Sequence, residues 1–375
     1  MKINLSDNGL NLRFAPLTLM RPISNLRMGI LTNDERWKKF IPDAEIGFET
    51  EKYLSRKFPS LEGGIAVNAC VIPNEDFVAT VFNLNKNQGL FANDLWLAGK
   101  RDGEKVEYVG DTPVILSQRW HLYTLNGKVL EQDFDLLTAG RTSQKLSKSN
   151  TLIGDAKRIF LEEGAVVEAS ILNTNTGSIY VGKDAEIMEG SVVRGGLGMC
   201  EHSALKLSTK IYGPTTLGPH CKVGGEVNNV IFQAYSNKGH DGFLGNALIG
   251  EWCNLGADTN SSNLKNNYGM VGTYSYEAGK EIKTDVQFMG VAMGDHSKCG
   301  INTMFNTATV IGVSSNIWGG DFPPKYIPSF SWGGSTGFEK FRLDKAIEYA
   351  NNMMNRRGLA LSEDEIAILT YLSEG

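Results

Sequence analysis

The side chains best suited to chemistry lie in one polar stretch of the chain, between Gly224 and Asn267. This stretch contains His240, and an imidazole can accept a proton at neutral pH, as a general base must. A single histidine in a loop is more often a surface residue than a catalytic one. Whether His240 is a general base or a surface residue therefore depends on the elements that hold it and on the residues around it.

A six-residue repeat of aliphatic side chains runs directly into this polar stretch. The repeat comprises Val181, Ile187, Val193, Met199, Leu205, Ile211, Leu217 and Val223. A period of six fits neither an α-helix nor a simple strand, whereas a triangular coil with three six-residue sides buries one such residue on each side. The hexapeptide pattern therefore predicts a parallel β-helix, with the polar stretch at a break in its rhythm.

The repeat divides the chain into four parts. Residues 1–140 lack it and mix helical with β-rich runs, which indicates an α/β domain, and the polar residues 141–152 are predicted to be a linker. We expect the β-helix to span residues 153–320, with a long interruption at 260–287. Residues 321–375 are predicted to form an extension with two helices.

Periodicity and capping signals also predict individual elements. Helices are predicted at Asn33–Phe40, near Glu51–Lys57, at Phe338–Arg357 and after the capping box Ser362–Glu365, and strands at Phe77–Phe82 and Leu90–Ala92.

Charge and spacing argue against several function classes. The net charge of −5 gives no electrostatic reason to expect a nucleic acid or an anionic membrane as partner. The histidines are His121, His202, His220, His240 and His296, and the cysteines are Cys70, Cys200, Cys221, Cys253 and Cys299. The histidines lack the close pair of the zinc-binding β-helical carbonic anhydrases, and no CxxC pair occurs. We therefore expect no metal site, and reduced thiols in a cytoplasmic protein without a signal peptide.

The polar stretch resembles a known family of hexapeptide-repeat enzymes. The interval from His240 to Asn254 and the interval from Asn254 to Asn263 both match the acetyltransferase half of the bifunctional UDP-N-acetylglucosamine pyrophosphorylase and glucosamine-1-phosphate N-acetyltransferase family. The resemblance implies a left-handed parallel β-helix, acetyl-CoA as co-substrate and assembly as a homotrimer.

The same resemblance implies roles for four residues. His240 would be the general base that takes a proton from the amine of glucosamine 1-phosphate. Glu226, which precedes His240 by the interval that separates His240 from Asn254, would orient the imidazole or hold a sugar hydroxyl. Asn254 would hold the sugar, and Asn263 would lie near the reacting amine.

Other positions of the match carry different residue types. Lys210 stands where the family has an arginine for the sugar phosphate, Phe243 where it has a tyrosine and Asn228 where it has a lysine. Lys238 or Lys265 would replace the cation that is absent at position 228.

The N-terminal domain resembles sugar-1-phosphate nucleotidyltransferases in the segment Arg13–Thr18. The loop before it contains only Gly9 and places Asp7 where a phosphate should bind, so it departs from the glycine-rich pattern of those enzymes. Arg13, Arg21 and Arg27 either bind a phosphate bidentately or are paired charges. The chain thus resembles a variant branch with a shortened nucleotidyltransferase half, and Mg²⁺ is expected only if that activity survives.

The leading hypothesis is acetyl transfer from acetyl-CoA to an amino-sugar phosphate in UDP-N-acetylglucosamine biosynthesis, with His240 as the base. Two alternatives remain open. The N-terminal domain could be a uridylyltransferase, or the chain could be a non-catalytic protein that binds sugar nucleotides or serves as a scaffold, which Phe243 and Asn228 favour.

Overall fold

The computed structural model describes residues 1–375 and confirms the predicted fold class. An α/β domain is followed by a parallel β-helix and two C-terminal helices. None of the helices has both the length and the apolar character that crossing a membrane requires.

The N-terminal domain is built on a mixed six-stranded sheet. Its strands, in spatial order, are Glu45–Glu49, Lys2–Ser6, Ile65–Asn68, Leu95–Gly99, Gln88–Ala92 and Glu104–Glu107. Its α-helices are Asn11–Phe14, Asn33–Phe40, Glu75–Phe82, His121–Thr124 and Asn126–Thr138. Two short ribbons complete it, formed by Arg27–Met28 with Leu31–Thr32 and by Val71–Ile72 with Val114–Ile115.

The local predictions in this domain have mixed outcomes. The helix Asn33–Phe40 is confirmed and begins with a capping box, and Leu90–Ala92 lies in a strand as predicted. The strand predicted at Phe77–Phe82 is wrong, because these residues belong to a helix whose first turn is capped by the side chain of Asn74. Turns replace the helix predicted near Glu51–Lys57.

The β-helix has three sheets, which we call the first, second and third faces. The first face contains Thr151–Ile153, Ile171–Asn173, Val192–Arg194, Lys210–Tyr212, Glu226–Asn228, Phe243–Gly245, Asn260–Ser261 and Met304–Phe305. The second contains Ile159–Leu161, Ile179–Val181, Leu197–Met199, Thr215–Leu217, Ile231–Phe232, Leu248–Ile249, Ala292–Met293, Val310–Ile311 and Tyr326–Ile327. The third contains Val166–Val167, Glu186–Ile187, Ala204–Leu205, Lys222–Val223, Asn237–Lys238, Asn254–Leu255, Lys298–Cys299, Asn316–Ile317 and Ser331–Gly334, with Gly337–Lys340 added antiparallel at its end.

The aliphatic repeat forms the core of this coil. None of the eight repeat residues exposes more than 1% of its surface. Within the regular part, Leu205 pairs with Val223, a full turn of three hexapeptides further along the chain. The next step on the same face pairs Val223 with Lys238, which is a shorter turn, so the coil tightens where the polar stretch begins.

The ends and the interruption of the coil differ in detail from their predicted positions. The first strand begins at Thr151, and the coil continues past residue 320 to Gly334. The interruption contains an antiparallel hairpin, Gly272–Ser275 with Lys280–Lys283. The C-terminal helices are Leu343–Asn355 and Glu363–Glu374, and the second begins at the predicted capping box.

The flanking parts cover different faces of the coil. The N-terminal domain packs on the second face, where Ile231, Leu248 and Ala292 join its hydrophobic core. The helix Leu343–Asn355 packs with Trp252 in a separate apolar cluster at the edge of the third face. All five cysteines are buried and unpaired.

A cation-lined cavity on the β-helix

A cavity of about 780 Å³ lies on the third face, beside the C-terminal end of the helix Leu343–Asn355. His240 and Asn254 both line it, so the structure brings together two of the residues that the family resemblance singles out. Its volume is in the range of small-molecule and cofactor sites. We call this space the third-face cavity.

The floor of the third-face cavity is a lateral row of four side chains. Lys222, Asn237, Asn254 and Lys298 are register partners on successive strands of the third face. Neighbouring strands are about 4.8 Å apart, so the two lysines stand roughly 14 Å from each other with the amides between them. The tightened coil therefore brings polar residues of four turns into one line.

The side chain of Lys238 points into the coil, at the inward position that Val223 occupies one turn earlier. Only 1% of the residue is exposed, and its ammonium donates to the carbonyl oxygens of His240 at 2.7 Å, Asp241 at 3.0 Å and Gly224 at 3.2 Å. Burial lowers the pKa of Lys238 to about 8. Within the chain, the ammonium for which a substrate contact is predicted therefore lies inside the coil and holds the turn that carries His240.

Three polar side chains of the cavity remain available for a ligand. Neither the imidazole of His240 nor the amide of Asn254 hydrogen-bonds within the chain, and both residues are exposed. The Oδ1 atom of Asn237 is buried and has no hydrogen-bond partner. Since buried polar atoms are nearly always satisfied, this orphaned oxygen indicates a place for a donor from a ligand.

Five cations line the cavity, and no carboxylate does. They are Lys206, Lys222, Lys298, Arg356 and Arg357, and none of them forms an ion pair. Partial burial lowers the pKa of Lys222, and the nearby Arg357, Lys206 and Arg356 lower it further. Burial lowers the pKa of Lys298 to about 8. An anion bound here would relieve this mutual repulsion.

These five cations are not among the site residues predicted from the sequence. Arg356 and Arg357 are adjacent in sequence at the end of a predicted helix, but the packing of that helix against the third face could not be read from its own residues. Lys222 precedes a repeat residue, Val223, and therefore points outward. This outward orientation is the local feature of the sequence that indicates a surface position for Lys222.

Lys210, Glu226 and Phe243 lie together on the first face, as successive register partners. Lys210 and Glu226 line a separate depression of about 740 Å³. The carboxylate of Glu226 accepts a hydrogen bond of 2.5 Å from the Tyr212 hydroxyl, and burial together with Glu226 raises the pKa of Tyr212 to about 12. The orientation of His240 expected from Glu226 is thus absent within the chain, because Glu226 bonds to Tyr212.

Asn228, Asn263 and Lys265 lie at the other end of the first-face strands. His240 precedes the strand Phe243–Gly245, whereas Asn228 is the register partner of its last residue. Asn263 donates to Asn246 Oδ1 at 2.8 Å, and Lys265 donates to the carbonyl oxygen of Met270 at 3.3 Å. Within one chain, these three residues are therefore not gathered around His240.

The three N-terminal arginines are all paired with carboxylates. Arg13 lies 3.0 Å from Glu277 in the hairpin of the coil, and Arg27 lies 2.8 Å from Glu35. Arg21 is buried between two carboxylates of the coil, those of Glu251 and Asp295. A phosphate could reach the buried guanidinium of Arg21 only by displacing a carboxylate.

No group of three or more His, Cys, Asp or Glu side chains in the structure is placed to hold a metal ion.

Comparison with known proteins supports the resemblance derived from the motifs. The model of the family described as "Sugar nucleotidyl transferase" matches residues 3–142. The bifunctional protein GlmU of Trichodesmium erythraeum is 25% identical over 43% of this chain and 28% of its own length. GlmU of Rippkaea orientalis is 28% identical over 39% of this chain and 29% of its own length. The chain thus spans less than a third of the length of these relatives.

Solved structures that match the chain include two acyl-group transferases. The polySia-specific acetyltransferase NeuO is 13% identical, covers 52% of this chain and 87% of its own, and has a TM-score of 0.30. The Arabidopsis UDP-N-acetylglucosamine acyltransferase is 12% identical, covers 58% of this chain and 76% of its own, and has a TM-score of 0.28.

Proposed function

We propose that this chain, a relative of the bifunctional GlmU proteins, moves acetyl from acetyl-CoA to the amine of an amino-sugar phosphate, with glucosamine 1-phosphate as the first acceptor to test. One observation carries the proposal. His240 and Asn254, which keep the spacing of the acetyltransferase family, line one cation-rich cavity on the hexapeptide coil, and neither side chain is engaged by the chain itself.

The proposed reaction needs one residue that moves a proton and others that hold the acceptor. His240 accepts a proton from the acceptor amine as the nitrogen lone pair attacks the thioester carbonyl carbon. The tetrahedral intermediate then collapses, the carbon–sulfur bond breaks, and the leaving thiolate takes the proton. Asn254 hydrogen-bonds a sugar hydroxyl, and the positive charge of the cavity lining balances the phosphate charge.

A homotrimer is part of the proposal because the first face is left uncovered. Ile153, Ile171 and Val192 expose 41% to 42% of their surface along it, and neither the N-terminal domain nor the C-terminal helices pack there. A contact between copies on this face would also bring Lys210, Glu226 and Asn263 to a neighbouring subunit. Light scattering should give a mass three times the 41.1 kDa of the chain.

The direct test is release of free thiol from acetyl-CoA in the presence of glucosamine 1-phosphate. Thiol release that depends on the amine supports the proposal, and mass spectrometry of the product should show the N-acetylated sugar. If the protein does not bind coenzyme A in calorimetry, or if it releases no thiol with any amino-sugar phosphate, the proposal fails.

Uridylyl transfer by the N-terminal domain is a second candidate, favoured by the family match over residues 3–142. It predicts release of pyrophosphate from UTP and N-acetylglucosamine 1-phosphate when Mg²⁺ is added. The carboxylate pairing of Arg13, Arg21 and Arg27 weighs against it. Absence of pyrophosphate at saturating UTP would rule it out.

A further inference from the structure

The C-terminal extension contributes two arginines that belong to no motif of the resemblance. The helix Leu343–Asn355 ends beside the third-face cavity, and Arg356 and Arg357 follow its last residue. Cations at a helix C-terminus interact favourably with the helix dipole, and this interaction by itself explains a basic residue there. It does not explain why three lysines of the coil converge on the same space.

The side chains of the two arginines differ in their hydrogen-bond partners within the chain. The guanidinium of Arg356 forms no hydrogen bond and no ion pair, and the residue is exposed. Arg357 donates to the carbonyl oxygen of His220 at 3.2 Å and lies 3.4 Å from His220 Nδ1, but it has no carboxylate partner. Guanidinium groups that are free of carboxylates at the rim of a cavity are suited to bidentate contacts with phosphate.

We propose that the end of the C-terminal helix completes a site for a ligand with two or more phosphoryl groups, held by Arg356, Arg357 and Lys222. The inference rests on the proposed function for the chemistry at His240, and it adds the residues that hold the phosphoryl groups of the ligand. It also gives the C-terminal extension a role in binding.

Charge and position favour a pyrophosphate-bearing ligand over a single phosphate. Five cations without a carboxylate exceed what one phosphate dianion neutralises, and Lys222 and Lys298 stand at opposite ends of the row on the cavity floor. The orphaned Asn237 Oδ1 lies between them and can accept a hydrogen bond from the organic part of the same ligand. Coenzyme A and a nucleoside diphosphate share the required pyrophosphate.

Calorimetry distinguishes the two ligands that could supply the pyrophosphate. Coenzyme A and UDP are each titrated into the full-length protein. The variants are Arg356→Gln and Arg357→Gln, and the matched control is Arg342→Gln at the other end of the same helix, where Arg342 pairs only with the neighbouring Asp344. We expect the wild type to bind one of the probes, each cavity variant to weaken that binding about tenfold or more, and the control to leave it unchanged. Arg356→Gln is the decisive variant, because the substitution removes no hydrogen bond and no ion pair of the folded chain.

The results separate this inference from the proposed function. If coenzyme A or UDP binds in an Arg356-dependent way but no acetyl transfer is found, the proposed function fails and the phosphate site stands. If neither probe binds the wild type, or if binding and the KM for acetyl-CoA are unchanged in both arginine variants, the phosphate site is overturned, whatever the transfer assay shows.

Discussion

Cationic side chains occur in two regions of this molecule, and their surroundings are opposite. Where the N-terminal domain meets the coil, Arg21 is only 6% exposed and contacts both Glu251 and Asp295. In the third-face cavity, the cations have no carboxylate partner. Burial alone would lower the pKa of Arg21, but the two carboxylates raise it, whereas the pKa of Lys222 is lowered by both burial and its cationic neighbours.

This difference shows why some cationic side chains stabilise the fold and others are available to bind a ligand. A buried cation whose charge is already balanced holds two domains together and has little left to offer a ligand. A group of cations that repel one another is stabilised only when an anion arrives. Changes in the two regions should therefore affect different measurements, turnover in the cavity and stability at the domain interface.

The largest expected effect is loss of turnover in His240→Ala. Removing a general base lowers kcat by about 10² to 10⁴, equivalent to roughly 3 to 5 kcal/mol in the activation free energy. The unfolding free energy should change little, because the imidazole makes no hydrogen bond within the chain. His202→Ala is the matched control, since His202 is also exposed on the coil but lies outside the cavity.

Thiol release and thermal unfolding, measured on the same preparations, check this prediction. Near-normal acetyl transfer by His240→Ala would contradict the assignment of the base. Equal losses in both histidine variants would show that the coil, not the base, had been damaged.

Arg21→Gln should cause the next largest effect, this time on stability. Removing one partner leaves Glu251 and Asp295 close together at the domain interface without their shared cation, which typically costs about 3 to 5 kcal/mol. Urea unfolding should show a lower midpoint. Binding of coenzyme A in the third-face cavity should stay as in the wild type while the protein is folded, and a change in binding without a change in stability would reverse the roles of the two regions.

Lys238→Met tests whether a cation inside the coil positions the turn that carries His240. The variant keeps an apolar side chain at the inward position but removes the donor to the carbonyl oxygens of Gly224, His240 and Asp241. We expect kcat to fall about tenfold, with KM nearly unchanged, and a stability loss of about 1 to 3 kcal/mol.

Val223→Met is the control for Lys238→Met, because Val223 occupies the same inward position one turn earlier. Overpacking there should cost about 1 to 3 kcal/mol without changing the turn of His240. A similar drop in kcat in both variants would mean that Lys238 has no positioning role.

The coil could be predicted because its signal is local. Each repeat residue is recognised from its neighbours six positions away, and the structure buries all of them. The helix Glu75–Phe82 was missed for the opposite reason. Its β-branched and aromatic content favours a strand, and the Asn74 side chain that caps the helix outweighs this preference.

The candidate site could be predicted only in part. The spacing of His240 and Asn254 indicated the region in which the third-face cavity lies. Asn237 lines the same cavity because one turn of the coil is shorter than three hexapeptides, and the six-residue repeat does not specify that shorter turn. The carboxylate partners of Arg21 are 230 and 274 residues away in sequence, and no local pattern indicates contacts at such distances.

Arg13→Gln should have the smallest effect, although it carries the same substitution as Arg21→Gln and breaks the same kind of pair. The ion pair of Arg13 with Glu277 also joins the N-terminal domain to the coil, but both side chains are one third to one half exposed. Water solvates each charge when its partner is removed, so the unfolding free energy should fall by no more than about 1 kcal/mol, and by less at high salt. Urea unfolding at low and high ionic strength measures this directly. A loss as large as that of Arg21→Gln would show that burial is not what separates the two arginines, and that the docking of the hairpin depends on the Arg13 pair.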